Sequence, residues 1–377
     1  MKRAVALVLL LALAVAGWWG GPRALESARV VAAMAADGTP PKLAWGAPAP
    51  TRQLVSYRID GRDHQADLYH PGQPPLAAML LIPGAAQGGK DDPRLVAMAT
   101  SLARARFTVM VPDIASFKAL TVRPSDRREV ADAVLALDGQ RGPATGGGPL
   151  MVMAISYAVG PALLAALEPD IGRRIDLLVG IGGYYDLTAV ITFFTTGQFR
   201  DAPGAPWRFR QPNAYGKWVF VRANVPRLVD SGDRALLDAM AARKLADLAA
   251  PVDDLSARLG PEGRPVMALL ANRDPDAVPA LVAALPPAIR ADIAALTLAG
   301  RDFSRLHPRL LLVHGRDDPI IPVTESQALA AAAPPGRADL TVVDSLMHAD
   351  LRPAGWHDGW QLYGLVWRLL AARDGIS

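Results

Sequence analysis

The chain has 377 residues, and 51% of them are apolar, enough for a large buried core. Its 40 Lys and Arg against 36 Asp and Glu leave a net charge of only +4, and the basic residues are scattered, which excludes a nucleic-acid footprint. No cysteine is present, so disulfides, thiolate metal sites and a thiol nucleophile are all excluded.

Lys2 and Arg3 precede an unbroken apolar run, Ala4 to Trp19. A charged start before such a run reads as an export signal, with Ala14-Val15-Ala16 as a small-residue cleavage site. The alternative is an uncleaved anchor with Trp18 and Trp19 at the far interface. Either way the expectation is an exported, periplasmic protein, free or anchored to the inner membrane. Residues 20–52, rich in Ala, Gly and Pro, are expected to be a linker.

From residue 53 the pattern alternates strands and helices. Leu54 to Ile59 and Gln65 to Tyr69 flank Asp60-Gly61, a turn pair, and predict a hairpin. Short continuous apolar runs follow: Ala77 to Ile82, Phe107 to Val111, Leu150 to Ile155, Asp176 to Ile181, Leu310 to Val313 and Leu340 to Val343. Runs without alternation suit strands of a parallel sheet buried on both faces. Helical stretches separate most of them: Pro93 to Arg104, Asp126 to Leu137, Ala158 to Leu167, Thr324 to Ala333 and His357 to Ala372. The expected fold class is α/β, a doubly wound and mostly parallel sheet. Residues 53–186 and 305–377 form its body. Residues 187–304 are too long for an ordinary connection and are expected to form a helical cap over the C-terminal edge of the sheet.

Reactive groups in a parallel sheet sit just past the C-terminal ends of strands. After Leu150 to Ile155 comes Ser156, flanked at two residues on either side by Ala154 and Ala158. Alone, this pattern also suits an ordinary strand-end serine. After Leu310 to Val313 comes His314-Gly315-Arg316-Asp317-Asp318-Pro319-Ile320-Ile321-Pro322, and after Leu340 to Val343 comes Asp344-Ser345-Leu346-Met347-His348. The chain order is then Ser, Asp, His, each just beyond a strand.

On these residues the sequence resembles the α/β-hydrolase superfamily, of the serine esterase and lipase kind, from about Leu54 to the C-terminus outside the insertion. The resemblance implies a triad of Ser156, Asp318 and His348. Asp318, four residues before Pro322, takes the place of the acid, and Asp317 does not. Ser156 needs a base to take its proton. His348 is that base, and Asp318 holds its imidazole in one tautomer. The oxyanion donors implied are the backbone N–H of Tyr157 and that of Ala85, in the loop after Ala77 to Ile82. Pro83 stands where the family has the histidine of a His-Gly pair.

The expected function is hydrolysis of an ester or related acyl bond of a small-molecule substrate, with no cofactor, metal or nucleic acid. Other chemistries of the same fold, such as acyl transfer, and a non-catalytic envelope binding protein are the alternatives. His314 is expected to be a strand-end turn residue, His357 a helix-start residue, and the stretch Trp207 to Arg222 a packed part of the cap.

Overall fold

A computed structural model describes residues 21–34, 48–140, 142, 146–348, 350–351 and 355–376. The apolar run Ala4 to Trp19 lies outside the described residues, and with it the signal-or-anchor expectation. Among the described residues no single helix is long and apolar enough to cross a membrane.

Eight strands form the central sheet: β1 (Thr51–Ile59), β2 (Arg62–His70), β3 (Ala77–Ile82), β4 (Phe107–Pro112), β5 (Leu150–Ile155), β6 (Leu177–Ile181), β7 (Arg309–Gly315) and β8 (Ala338–Val343). Their spatial order is β1-β2-β4-β3-β5-β6-β7-β8. β2 runs antiparallel to both its neighbours, and every other pair is parallel. The β1–β2 hairpin turns at Asp60-Gly61, both with positive φ (46° and 79°). Two residues in that region give the turn a twist that matches the strands it joins.

The unbroken apolar runs have a direct explanation. Side chains along β3 alternate between two cores: Ala78, Leu80 and Ile82 face one, while Ala77, Met79 and Leu81 face the other. With both faces covered there is no solvent side to supply polar residues. One face packs against α3 (Asp126–Asp138), α4 (Val159–Ala166) and α11 (Val323–Ala332). The other packs against α2 (Pro93–Arg104) and α12 (Trp356–Arg373). α2 starts as its sequence requires, with Pro93 at its first position and the Asp92 carboxylate accepting from Arg94 N–H.

The linker expectation is corrected for its first part. Residues 22–34 form helix α1 (Pro22–Met34), which packs against α2 and α12. Ala24, Ser27 and Val30 are buried at helical spacing, and Arg23–Asp374 and Glu26–Arg373 ion pairs tie α1 to the end of α12. Small residues hid this face: Ala and Ser leave little hydrophobic contrast in the sequence, yet they are what lets a helix lie close to two others. Residues 35–47 lie outside the described residues.

Between β6 and β7 the chain forms a run of helices. The longer ones are α5 (Leu187–Thr196), α6 (Tyr215–Asn224), α7 (Ser231–Ala246), α8 (Gly263–Ala271), α9 (Val278–Ala283) and α10 (Pro287–Leu296). Their buried residues, among them Phe194, Trp218, Met240, Leu269 and Ile289, are continuous with the core on the α3–α4 face of the sheet. The insertion is tied to the loops at the C-terminal ends of the strands. Asn213 N–H donates to Pro319 O, Leu298 N–H to Tyr185 O, and the Arg227 guanidinium to Val122 O.

Candidate active site

Ser156 stands at the abrupt junction of β5 and the helix behind it. Its φ is +58°, in the left-handed region that a residue with a Cβ rarely occupies. Strain of this kind persists only where the surroundings enforce it. Here they do: Ala154 and Ala158 are fully buried, and Gly160 has no room for a Cβ, which would stand 2.0 Å from the Tyr184 hydroxyl. The turn lifts Ser156 off the end of the sheet.

The three side chains singled out by the sequence meet there. Ser156 Oγ lies 2.6 Å from His348 Nε2. On the other side of the ring, His348 Nδ1 is 2.9 Å from Asp318 Oδ2. That carboxylate only accepts, so Nδ1 carries the proton and Nε2 is left to accept from the serine hydroxyl. The second oxygen, Asp318 Oδ1, accepts from the backbone N–H groups of Ile320 and Ile321 at 2.8 and 3.0 Å. Proline 319 thus sits inside a tight turn wrapped around its own preceding carboxylate. Burial pushes the Asp318 carboxyl up, but His348 and His314 beside it outweigh burial and hold it well below the ordinary carboxylate range. His348 also has positive φ (60°) and packs its backbone near Gly182, where the chain itself has φ +61°.

Asp317 points elsewhere. It is largely exposed and pairs with Arg210 of the insertion at 2.6 Å. His357 is exposed and bonds to Gln361 on its own helix. His64 is held between Glu129 and Asp132, at 3.1 and 3.0 Å, and stacks on Tyr57, a structural role in the β1–β2 hairpin. Within the stretch 207–222, Trp218 and Val221 are buried in the packing of α6, while Phe209 is exposed.

His314 has more to do than the strand-end turn expected of it. It is fully buried, and its Nε2 donates to Ile321 O at 2.9 Å while Nδ1 takes a hydrogen bond from the Ser326 hydroxyl at 2.6 Å. Nε2 also lies 3.4 Å from Asp318 Oδ2. His314 therefore braces both Asp318 and the turn around it. Its place four residues before Asp318, at the end of an apolar strand, is the signal that could have found it.

The loop after β3 approaches the elbow closely. A Cβ on Gly84 would stand 3.4 Å from Ser156 Cβ and 3.3 Å from Ile155 O. A side chain there would fit only tightly, and the close approach brings the Gly84–Ala85 peptide beside the serine. The loop is anchored further on, where Lys90 reaches the buried Asp67 of β2 at 3.2 Å. Tyr157, the residue after Ser156, is fixed through its side chain. Its hydroxyl donates to Asp126 Oδ2 at 2.9 Å, and Asp126 also accepts from the Ser116 hydroxyl and from Arg123 N–H, both at 2.7 Å. Burial raises the Asp126 carboxyl above the ordinary range despite these three donors. The Tyr157 ring packs between Tyr184 and Phe117. Sequence reasoning missed this network, because Asp126 and Ser116 lie on other elements and carry no motif.

A strand order of 1-2-4-3-5-6-7-8 with only the second strand reversed is the arrangement of the α/β hydrolases, and the chain has that fold. No family model matches the sequence, and no curated protein matches it. Among solved structures it is similar to a serine hydrolase from the polyaromatic-hydrocarbon-degrading bacterium Cycloclasticus zankles, at 16% identity over 79% of this chain and 92% of that one, with a TM-score of 0.42. It is similar to a dienelactone hydrolase from Anabaena variabilis, at 12% identity over 85% and 97% of the two chains, TM-score 0.44. A membrane phospholipase A is 17% identical over 98% and 99% of the two chains, TM-score 0.42. Likenesses this distant do not bear on chemistry; the positions of Ser156, His348 and Asp318 do.

Proposed function

We propose that this protein is a serine hydrolase that cleaves an ester or related acyl bond through an acyl-enzyme. The observation that carries the reading is the continuous relay from Ser156 Oγ through His348 to Asp318, with contacts of 2.6 and 2.9 Å. In the first step His348 Nε2 takes the serine proton as Oγ attacks the substrate carbonyl carbon. The imidazolium formed is stabilised by the ionised Asp318. The backbone N–H groups of Tyr157 and Ala85 receive the negative charge that develops on the carbonyl oxygen. His348 then protonates the leaving group. Water, deprotonated by the same nitrogen, attacks the acyl-enzyme, and Ser156 is regenerated.

The insertion, residues 187–304, acts as a cap that shapes the acyl site and favours small to medium acyl groups over bulky polymers. Its support is the attachment to the triad-acid loop through Asn213 and Arg210 and to the strand-end loops through Arg227 and Leu298. The charged start and apolar run at the N-terminus support export to the periplasm, free or anchored to the inner membrane.

A fluorophosphonate probe tests the chemistry. It should label the purified protein on Ser156, and Ser156→Ala should abolish both labelling and hydrolysis of short p-nitrophenyl esters while leaving the melting transition in place. Labelling at another residue, or undiminished hydrolysis by the variant, would end the reading. Alkaline phosphatase fused after residue 52 should be active, since that reporter matures only in an oxidising compartment.

A further inference from the structure

Three of the eight tryptophans of the chain lie on one helix, α12. Trp356, Trp360, Tyr363 and Trp367 follow one another at steps of four, three and four residues, which places them on a single helical face. A different face, with Leu362, Leu365, Val366, Leu369 and Leu370, is buried against the sheet. The first half of the aromatic face is turned outward, with Trp356 86% exposed and Trp360 64%, while Tyr363 and Trp367 are half-buried. Trp360 and Tyr363 stack at 5.5 Å, and Tyr363 and Trp367 at 6.3 Å, so the rings form a continuous strip. From its first ring to its last the strip runs about 16 Å along the helix. Contiguous exposed apolar surface of this kind marks a contact site.

The position of the strip says what it meets. Helix α1 lies alongside α12, and the Arg23 guanidinium at its start stands over the Trp367 ring at 5.2 Å. In the sequence, the apolar run Ala4 to Trp19 ends directly before α1. The first turn of the helix that follows the apolar run in sequence therefore stands at the Trp367 end of the aromatic strip. Tryptophan and tyrosine, with an apolar body and one polar group, favour the headgroup region of a bilayer. We propose that the Trp356–Trp367 face of α12 rests in the headgroup layer of the membrane that the run Ala4 to Trp19 enters, as a second lipid contact. The chain is then laid on the membrane by one side of the body. The Trp356 end of the strip lies closest in sequence to the loop of His348. This contact does not depend on the hydrolase reading; it rests on the proposed anchoring by the N-terminal run.

The absence of cysteine makes single-site labelling clean. Full-length Trp356→Cys, Trp360→Cys and Val229→Cys variants would each carry an environment-sensitive fluorophore, Val229 being an 83% exposed position on the insertion. They are reconstituted in phosphatidylethanolamine–phosphatidylglycerol vesicles containing lipids brominated near the headgroup. Quenching at 356 and 360 should be about three-fold or more stronger than at 229, as interfacial placement requires. Equal quenching at all three positions overturns the proposal, as does failure of the protein to float with vesicles. Shielding of 356 and 360 from aqueous iodide without quenching by the brominated lipid also overturns it, and identifies a second copy of the chain as the occupant. Fluorophosphonate labelling of the same variants reads the proposed catalytic function separately, because neither position touches the triad.

Discussion

The body and the insertion meet the same physical demand in different ways. In the body, polar groups at the strand ends are held by dense, buried networks. Asp318 is fully buried and engages two backbone N–H groups and two histidines, while Asp126 accepts three hydrogen bonds. In the insertion one buried carboxylate, Asp233, likewise accepts from the N–H groups of Gly260, Glu262 and Gly263, but further ties are ion pairs nearer the surface: Arg210–Asp317, Arg227–Asp292, Arg243–Asp254 and Arg222–Asp238. Pairs of the second kind contribute little each, because water screens them. Helix packing must hold the insertion in place, and its buried side chains join the core of the body without a break.

The largest effect should separate two adjacent carboxylates that belong to the two regimes. Asp318→Asn leaves the turn intact but offers His348 the wrong hydrogen-bonding partner, and turnover should fall by about 10⁴, the scale measured for that change in a serine protease triad. Asp317→Asn removes only the surface pair with Arg210 and should change turnover within about two-fold, as surface pairs do. Steady-state ester hydrolysis decides, and the reverse ranking would mean that the loop is read in the wrong register.

Next in size is a test of whether the insertion has its own stability. Met240 of α7 is fully buried in the shared core. Met240→Ala should cost about 2–5 kcal/mol. Because the core is continuous, far-ultraviolet circular dichroism and fluorescence from the insertion should still report one coincident unfolding transition. Two separated transitions would show that the insertion is an independent unit.

A smaller loss is expected behind the proposed oxyanion donor. Tyr157→Phe deletes one of the three donors to a buried carboxyl and should cost about 1–3 kcal/mol in chemical denaturation. Since the phenol also fixes the residue whose N–H is the proposed oxyanion donor, kcat should fall more than KM rises. A change in KM alone would argue that Tyr157 contacts only bound substrate.

The mildest effect lies at the joint between the two regions. Glu325 of α11 accepts from the N–H groups of Tyr185 and Asp186, where the insertion begins. Burial pushes its carboxyl from 4.5 to about 7, against those two hydrogen bonds. The folded state thus holds this proton more tightly than the unfolded chain. Its contribution is full below about pH 4.5 and is lost as pH rises to about 7, so stability falls across that window. Thermal melts of Glu325→Gln, which can still accept both N–H groups, should lack that part of the slope. An unchanged slope would place the titration elsewhere.

Much of the architecture is legible in the sequence because it is written in short windows. Two-faced apolar runs define β3, β5 and β6, Asp60-Gly61 turns the hairpin, and Asp92-Pro93 starts α2. The order Ser156, Asp318, His348 at three strand ends also reads directly, since a parallel sheet brings its C-terminal ends to one edge. Only the tertiary structure decided the rest. The small residues of α1 show their packed face only against α2 and α12. Asp126 bears no motif, and the position of His314 four residues before Asp318 gives no sign of its contacts; their roles arise because β7 returns beside β6 and because α3 starts near Tyr157. Helices α5 and α6 carry apolar residues around much of their circumference, so their periodicity is weak until neighbours are present, and α8 has Gly263 and Pro265 in its first turn, which read as punctuation. Sequence windows of ten to twenty residues encode which face a segment buries. The contact of Ser156 with His348, 192 residues later, is set by the strand order of the whole sheet.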